Sequence, residues 1–313
     1  MNAAAVHQPV MLPEVLAALA VRPGGRYVDC TVNGGGHAEL ILEAASPGGT
    51  LLGIDADPDA LAVARERLRR FGDALALVQG NFRDLDVICG ERGFRPVNGI
   101  LFDLGLSSTQ LADAGRGFSF QREGPLDMRF SPDQEVTADY WANQAPEEEL
   151  ASVLWRFGEE RESRRISRTI IRSRPLRTTT ELAKAVEQAV GQRARGQTHP
   201  ATKTFQALRI AVNQELASLI EALPRARGLL GFGSRLVVIS YHSLEDRIVK
   251  QFIAQERRDC ICPPRTPVCV CGHKASLRPV TRGAVRPSAE EVISNPRSRS
   301  ARLRAAERLQ AAA

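Results

Sequence analysis

Apolar and polar positions along the chain fall into two regimes. In the first, short apolar runs end in an acid or a turn. Arg26–Cys30, Leu51–Asp55, Leu75–Gln79 and Val97–Asp103 each read as a buried strand. Between the second and third, Asp57–Leu68 places Leu61, Ala64 and Leu68 at helical spacing. Strands alternating with helices imply βαβ units and a parallel sheet. The second regime begins after Val97–Asp103. From Pro146 to about Ile171 most residues are charged, with Leu150, Val153, Leu154 and Phe157 on one helical face. Glu181–Val190 repeats the pattern, and no good strand appears between Glu147 and Pro200. An all-helical insertion over 112–202 is therefore expected, within a sheet domain formed by 1–111 and 203–313. Thr204–Leu223 reads as one helix rejoining the sheet, Arg235–Ser240 as a fifth strand, and Leu244–Gln255 as a helix. Ser298–Leu309 reads as a basic C-terminal helix.

Composition changes this picture little. Hydrophobic residues make up 43% and charged residues 25%, enough for a sizeable core without disulfides. No run long enough for a membrane helix is present. The start, MNAAAVHQPVMLPEVL, lacks a signal peptide's basic start and long apolar core, so a cytoplasmic protein is expected. The net charge of +6 is uneven: residues 1–273 balance, and the whole excess lies from Lys274 onward. Such a stripe suits a polyanion, or is simply a solvated Arg-rich tail.

The candidate chemistry sits at the ends of the strands. After the first comes Asp29-Cys-Thr-Val-Asn33-Gly34-Gly35-Gly36-His37, then a helix. Consecutive glycines let the backbone turn tightly, and the helix N-terminus behind them offers N–H groups. Asp55 ends the second strand, about 20 residues on, where an acid can bind ribose hydroxyls. A nucleoside-containing cofactor is implied. Glu39 stands where a dinucleotide fingerprint needs its third glycine, which disfavours an NAD-linked oxidoreductase. Asp29 suits a cation, such as the amino group of S-adenosylmethionine. Asp103, ending the fourth strand, precedes Gly105, Ser107 and Ser108, which leave room for a substrate base. Phe118 and Phe120, with Arg116 and Arg129, either hold an extruded base and its phosphate or simply pack the insertion; for two Phe, packing is preferred.

Taken together, HQPVML at 7–12, the Asp29–His37 loop, DLGLSS-Q at Asp103–Gln110 and RGFSF…GPLDMR make a series. HPATKTFQALRIAVNQEL from His199, SYHSLEDRIVK from Ser240 and NPRSRSARLR from Asn295 continue it. The series closely resembles the bacterial 16S rRNA cytosine-N4 methyltransferase family (RsmH, formerly MraW), over almost the entire chain. That resemblance implies a class I, Rossmann-like S-adenosylmethionine-dependent methyltransferase sheet with an inserted helical domain that helps to recognise RNA. It implies methylation of the N4 amine of one cytosine in the decoding region of 16S rRNA. It places cofactor contacts on Gly35, Gly36, His37, Asp55, Phe82, Asp103 and Gln110, alongside Asp29. One departure is Asn33 where the family usually has glycine; asparagine tolerates positive φ, so the turn is expected to survive.

A cytosine amine is a poor nucleophile, and a hydrogen-bond acceptor on its N–H favours attack. Asp103 is the first candidate; Ser107, Ser108 and His242 are the others, with a structural role preferred for His242. Arg297, Arg299, Arg302 and Arg304 are candidates for phosphate. Cys260, Cys262, Cys269 and Cys271 offer four thiolates, but C-x-C pairs depart from the usual C-x2-C zinc spacing. A free, reduced loop is preferred, and no metal is assigned. The expected partner is 16S rRNA in the assembled small subunit, with no membrane and the oligomeric state open. A methyltransferase with another target and a non-catalytic RNA-binding assembly factor are the rival readings.

Overall fold

A computed structural model describes residues 9–191 and 199–310. His7 and Gln8 of the first motif lie outside the described residues. Seven strands form one sheet: β1 (Arg26–Asp29), β2 (Thr50–Asp55), β3 (Leu75–Gln79), β4 (Val97–Asp103), β5 (Leu230–Ser240), β6 (Leu277–Pro279) and β7 (Arg302–Arg308). Their order is β3-β2-β1-β4-β5-β7-β6. The first five run parallel, while β7 is antiparallel to both β5 and β6. β1 and β4 are neighbours at the centre, where the strand order reverses. Ligands bind off the carboxyl ends of the strands at such a point.

Both faces of the sheet are covered, which is why its strands read as near-continuous apolar runs. On one face Val28, Leu52, Ile54, Phe102 and Val238 pack against α4 (Leu85–Glu91), α10 (Glu215–Leu229) and α11 (Ser243–Glu256). On the other, Tyr27, Leu51, Leu101, Val237 and Ile239 pack against α1 (Leu12–Leu19), α2 (Gly36–Ala45) and α3 (Pro58–Arg67). Alternate residues of each strand supply the two faces. α3 starts where its sequence predicts: Pro58 takes the first turn, and the Asp57 side chain accepts from Asp59 N–H at 3.0 Å.

The chain divides into two compact units. Among the described residues, 9–105 and 216–310 make the sheet unit, and 106–191 with 199–215 the helical unit, against the 112–202 expected. The helical unit holds α5 (Ser108–Ala112), α6 (Glu147–Gly158), α7 (Ser163–Arg172), α8 (Thr179–Val190) and α9 (Ala201–Asn213). Leu150, Leu154, Ile166, Ile170, Leu182, Val186 and Leu208 form its own core.

Two expectations need correction. The single helix over Thr204–Leu223 is two helices, α9 and α10, separated by Gln214 at φ +50°. The Asn213 side chain stops α9 by bonding a distant loop: its Nδ2 donates to Met128 O (2.7 Å) and its Oδ1 accepts from Phe130 N (2.7 Å). The basic C-terminal helix is instead a short 3-10 turn over Pro296–Ser300 followed by β7. Ala, Leu, Arg and Glu favour helix locally, but pairing with β5 and burial of Leu303 and Ala305 override that preference.

Candidate active site

Three acids end adjacent strands. Asp29 closes β1, Asp55 closes β2 and Asp103 closes β4, and all three are buried. Asp29 Oδ1 accepts from Thr31 N–H at 3.2 Å, whereas Oδ2 is buried with no hydrogen-bond partner. Burial pushes the Asp29 carboxyl up to about 7, against the opposing pull of His37 and the Thr31 N–H. Burial likewise raises Asp55 to about 6, opposed by the N–H groups of Asp57 and Asn33. Those bonds measure 2.9 Å to Oδ1 and 2.8 Å to Oδ2. Asn33 sits at φ +47° with its side chain donating to Thr31 O at 3.0 Å, so the turn survives the missing glycine.

The glycines that follow have packing reasons of their own. Gly35 is left-handed (φ +79°) at the N-cap of α2, and a Cβ there would meet Leu68 at 3.0 Å. A Cβ on Gly36 would lie 2.6 Å from the ring of Pro9. Glu39, at the position that would be the third glycine of a dinucleotide loop, is engaged by Arg67 (2.8 Å) and Arg70 (3.1 Å).

Asp103 is fixed from three sides. Its N–H donates to Thr31 Oγ1 at 2.7 Å, and its Oδ1 accepts from Tyr241 O–H at 2.8 Å. Its Oδ2 lies 3.5 Å from His37 Nδ1. The other ring nitrogen of His37 bonds Val10 O at 2.8 Å; a carbonyl only accepts, so Nε2 carries hydrogen. Burial first, and then the Asp103 charge, hold the Tyr241 phenol well above its ordinary value, so it stays a donor. A carboxylate has about four lone-pair sites, so the Tyr241 bond leaves Asp103 able to accept another hydrogen.

The remaining predicted residues have plainer positions. Phe82 is half-buried and sits edge-on to Phe102, with centroids 5.5 Å apart. Its turn is set by Asn81, whose side chain accepts from Arg83 N–H at 2.9 Å. His242 caps α11: its Nδ1 accepts from Glu245 N–H at 3.4 Å, while Nε2 lies 3.1 Å from Glu245 Oε1 without hydrogen-bond alignment. Ser107 and Gln110, in the helical unit, form a capping box on α5. Ser107 Oγ accepts from Gln110 N–H (3.1 Å), and Gln110 Oε1 from Ser107 N–H (3.0 Å). Ser108 follows, partly exposed, in the first turn of the same helix.

Other suggestive residues turn inward. Phe118 is buried in the helical core, and Phe120 stacks on His199 at 4.5 Å. Arg116 donates to the carbonyls of Arg129 and Phe130, and Arg129 forms a bidentate pair with Asp127. In the sheet unit, Arg302 and Arg304 pair with Asp246 at 3.2 and 2.7 Å, which leaves Arg297 and Arg299 as the exposed members of that set. The sequence does not assign Tyr241 and Thr31 as partners of Asp103. Their signal was positional: Tyr241 directly follows β5, the parallel neighbour of β4, and Thr31 lies two residues past β1.

A family model described as the MraW methylase family matches residues 4–309. The chain belongs to the MraW methylase family. It is 59% identical over 303 residues to ribosomal RNA small subunit methyltransferase H of Dehalococcoides mccartyi, covering 97% of this chain and 86% of that one. The protein of the same name from Thermomicrobium roseum is 56% identical over 306 residues, covering 97% and 94%. That from Geobacter sulfurreducens is 50% identical over 307 residues, covering 97% and 99%. The sheet is accordingly that of a class I, Rossmann-like S-adenosylmethionine-dependent methyltransferase. The residues fit that cofactor. A buried carboxylate oxygen without a partner suits its ammonium group, an acid at the end of β2 suits its ribose, and a half-buried phenyl ring suits its base.

Proposed function

We propose that this chain transfers a methyl group from S-adenosylmethionine to the exocyclic N4 amine of one cytosine in the decoding region of 16S rRNA. The observation that carries this reading is Asp103. It is a buried carboxylate at the end of β4 that accepts from Tyr241 O–H and faces His37 Nδ1 at 3.5 Å, its backbone N–H anchored on Thr31 Oγ1, one strand from the partnerless oxygen of Asp29. The relatives named as small-subunit rRNA methyltransferases support the substrate class.

The cofactor supplies an activated methyl on a sulfonium centre. Asp29 would bind the ammonium, Asp55 the ribose hydroxyls and Phe82 the adenine, with Gly35 and Gly36 shaping the turn. Asp103 accepts a hydrogen bond from the N4–H of cytosine, which returns lone-pair density to the amine. With the methyl so supplied, Asp103 would take up the proton that N4 loses as the amine is methylated. Acid–base assistance of this kind is worth roughly 10²–10⁴-fold, and alignment of the two reactants supplies much of the rest. Tyr241 and His37 are positioning residues that fix the Asp103 carboxylate.

The helical unit supplies an RNA surface. A cavity of about 830 Å³ there is lined by Trp155 and by Arg161, Arg164, Arg165 and Arg168, with Glu147, Glu148 and Glu162 among them and Arg168 paired to Glu147 at 3.5 Å. Trp155 is 58% exposed. An exposed indole beside guanidinium groups suits unpaired RNA, which is held by stacking and phosphate contacts. A decoding-region cytosine must be splayed out to be reached, so the substrate is the assembled small subunit, in the cytoplasm.

The test uses methyl-labelled S-adenosylmethionine and small subunits lacking the modification. After digestion, labelled N4-methylcytidine is the expected product. Equal labelling of naked rRNA would remove the assembled-subunit part of the proposal. Cofactor binding with no labelled nucleoside would favour an assembly factor instead.

A further inference from the structure

We propose that Cys260, Cys262, Cys269 and Cys271 form a structural zinc site, independent of the proposed reaction. The C-x-C spacing weighed against this in the sequence, but the sulfur positions favour it. All four Sγ atoms lie within 4.8 Å of one another. The separations are 3.5 Å (Cys260–Cys269), 3.6 Å (Cys269–Cys271), 3.8 Å (Cys260–Cys271) and 3.9 Å (Cys262–Cys269). Four thiolates about 2.3 Å from a tetrahedral zinc stand about 3.8 Å apart along each edge. A disulfide needs about 2.05 Å, and all four cysteines are free.

Hydrophobic packing does not account for this convergence. The loop from Arg257 to Ser276 has no helix or strand, and Val268 and Val270, between and beside the ligands, are 73% and 82% exposed. Its base is closed by Ser276 N–H on Glu256 O (2.7 Å) and Ala275 N–H on Asp259 Oδ1 (3.2 Å). Its tip turns at Pro263, whose carbonyl accepts from Thr266 Oγ1 at 2.7 Å. Ile261 N–H points at Cys271 Sγ (3.4 Å), the kind of outer contact that orients a metal-bound thiolate. A segment with no core of its own holds one shape when a metal staples it. Sulfur-only ligands at these separations select zinc among abundant divalent ions. His273 lies outside the four-sulfur cluster.

The experiment uses the full chain, purified under reductant, stripped with chelator and titrated with zinc chloride. We expect about one zinc per chain retained through gel filtration, with an all-sulfur shell at about 2.3 Å by X-ray absorption. Zinc should protect the four exposed thiols from alkylation. Cys262→Ser and Cys269→Ser should each lower retained zinc about tenfold or more at limiting metal, with far-UV circular dichroism unchanged, while His273→Ala keeps it. No retained zinc, a nitrogen or oxygen shell, or equal zinc in the cysteine variants would overturn the proposal. The wild-type absorption spectrum decides the matter even if a variant misfolds.

Discussion

The sheet unit and the helical unit treat their polar residues in opposite ways. In the helical unit, each residue that looked like a ligand for RNA bases or phosphate and that turns inward has a partner there. Arg129 is paired to Asp127, Arg116 bonds two carbonyls, and Ser107 caps α5. At the carboxyl end of the sheet, three acids are buried, burial and then the charges of Asp103 and Asp55 raise the Asp29 carboxyl, and Asp29 leaves an oxygen unanswered. Burial of a carboxylate without a partner costs stability, so a fold that keeps one there has another use for it. A satisfied polar group explains structure, and an unsatisfied buried one points to a ligand.

Substitutions can break this contrast. The largest effect is expected for Asp103→Asn, which keeps the shape but loses the charge, one acceptor oxygen and the ability to take up a proton. Methylation should fall roughly 10²–10⁴-fold with folding intact, measured under single-turnover conditions. Tyr241→Phe removes one bond to a charged group; about 10- to 100-fold slower turnover with unchanged cofactor affinity is expected. A loss of cofactor affinity instead would make Tyr241 a binding residue.

In the helical unit the effects should appear as stability. Asn213→Ala strands Phe130 N–H and Met128 O, at a cost of about 2–3 kcal/mol in denaturant unfolding. Ser107→Ala removes a helix cap worth about 1 kcal/mol. Turnover more than about tenfold slower in Ser107→Ala, beyond what a cap is worth, would return Ser107 to the list of hydrogen-bond acceptors.

Much of this was legible locally. An apolar run ending in Asp gave β1, β2 and β4 and with them the three acids, because strands buried on both faces have a signal that needs no partner to be seen. The Asn33 turn was legible because asparagine tolerates positive φ, a preference of the residue itself. What stayed hidden depends on long-range contacts. β7 has a helix-forming composition, although Arg302, Leu303, Arg304 and Ala305 do alternate; only the β5 edge makes that alternation decisive. The break at Gln214 has no glycine or proline to announce it, since it follows from Asn213 reaching Met128. The basic stripe looked free because Asp246, more than fifty residues before its partners, is invisible to a charge count.

The most direct test of the contrast is the pH dependence of S-adenosylmethionine binding in wild type and Asp29→Asn. The Asp29 carboxyl rises from 3.8 unfolded to about 7 folded, so the cofactor-free protein binds the extra proton and loses stability as pH rises between those values. A bound ammonium needs the ionised form, so cofactor affinity and the stabilisation it brings should both grow as pH rises through about 7. In Asp29→Asn the affinity should be at least about tenfold weaker, since a charged partner is lost, and that growth should disappear. If Asp29→Asn binds as tightly as wild type with the same pH profile, the unanswered oxygen is not where the cofactor's cation sits, and the contrast between the two units loses its functional meaning.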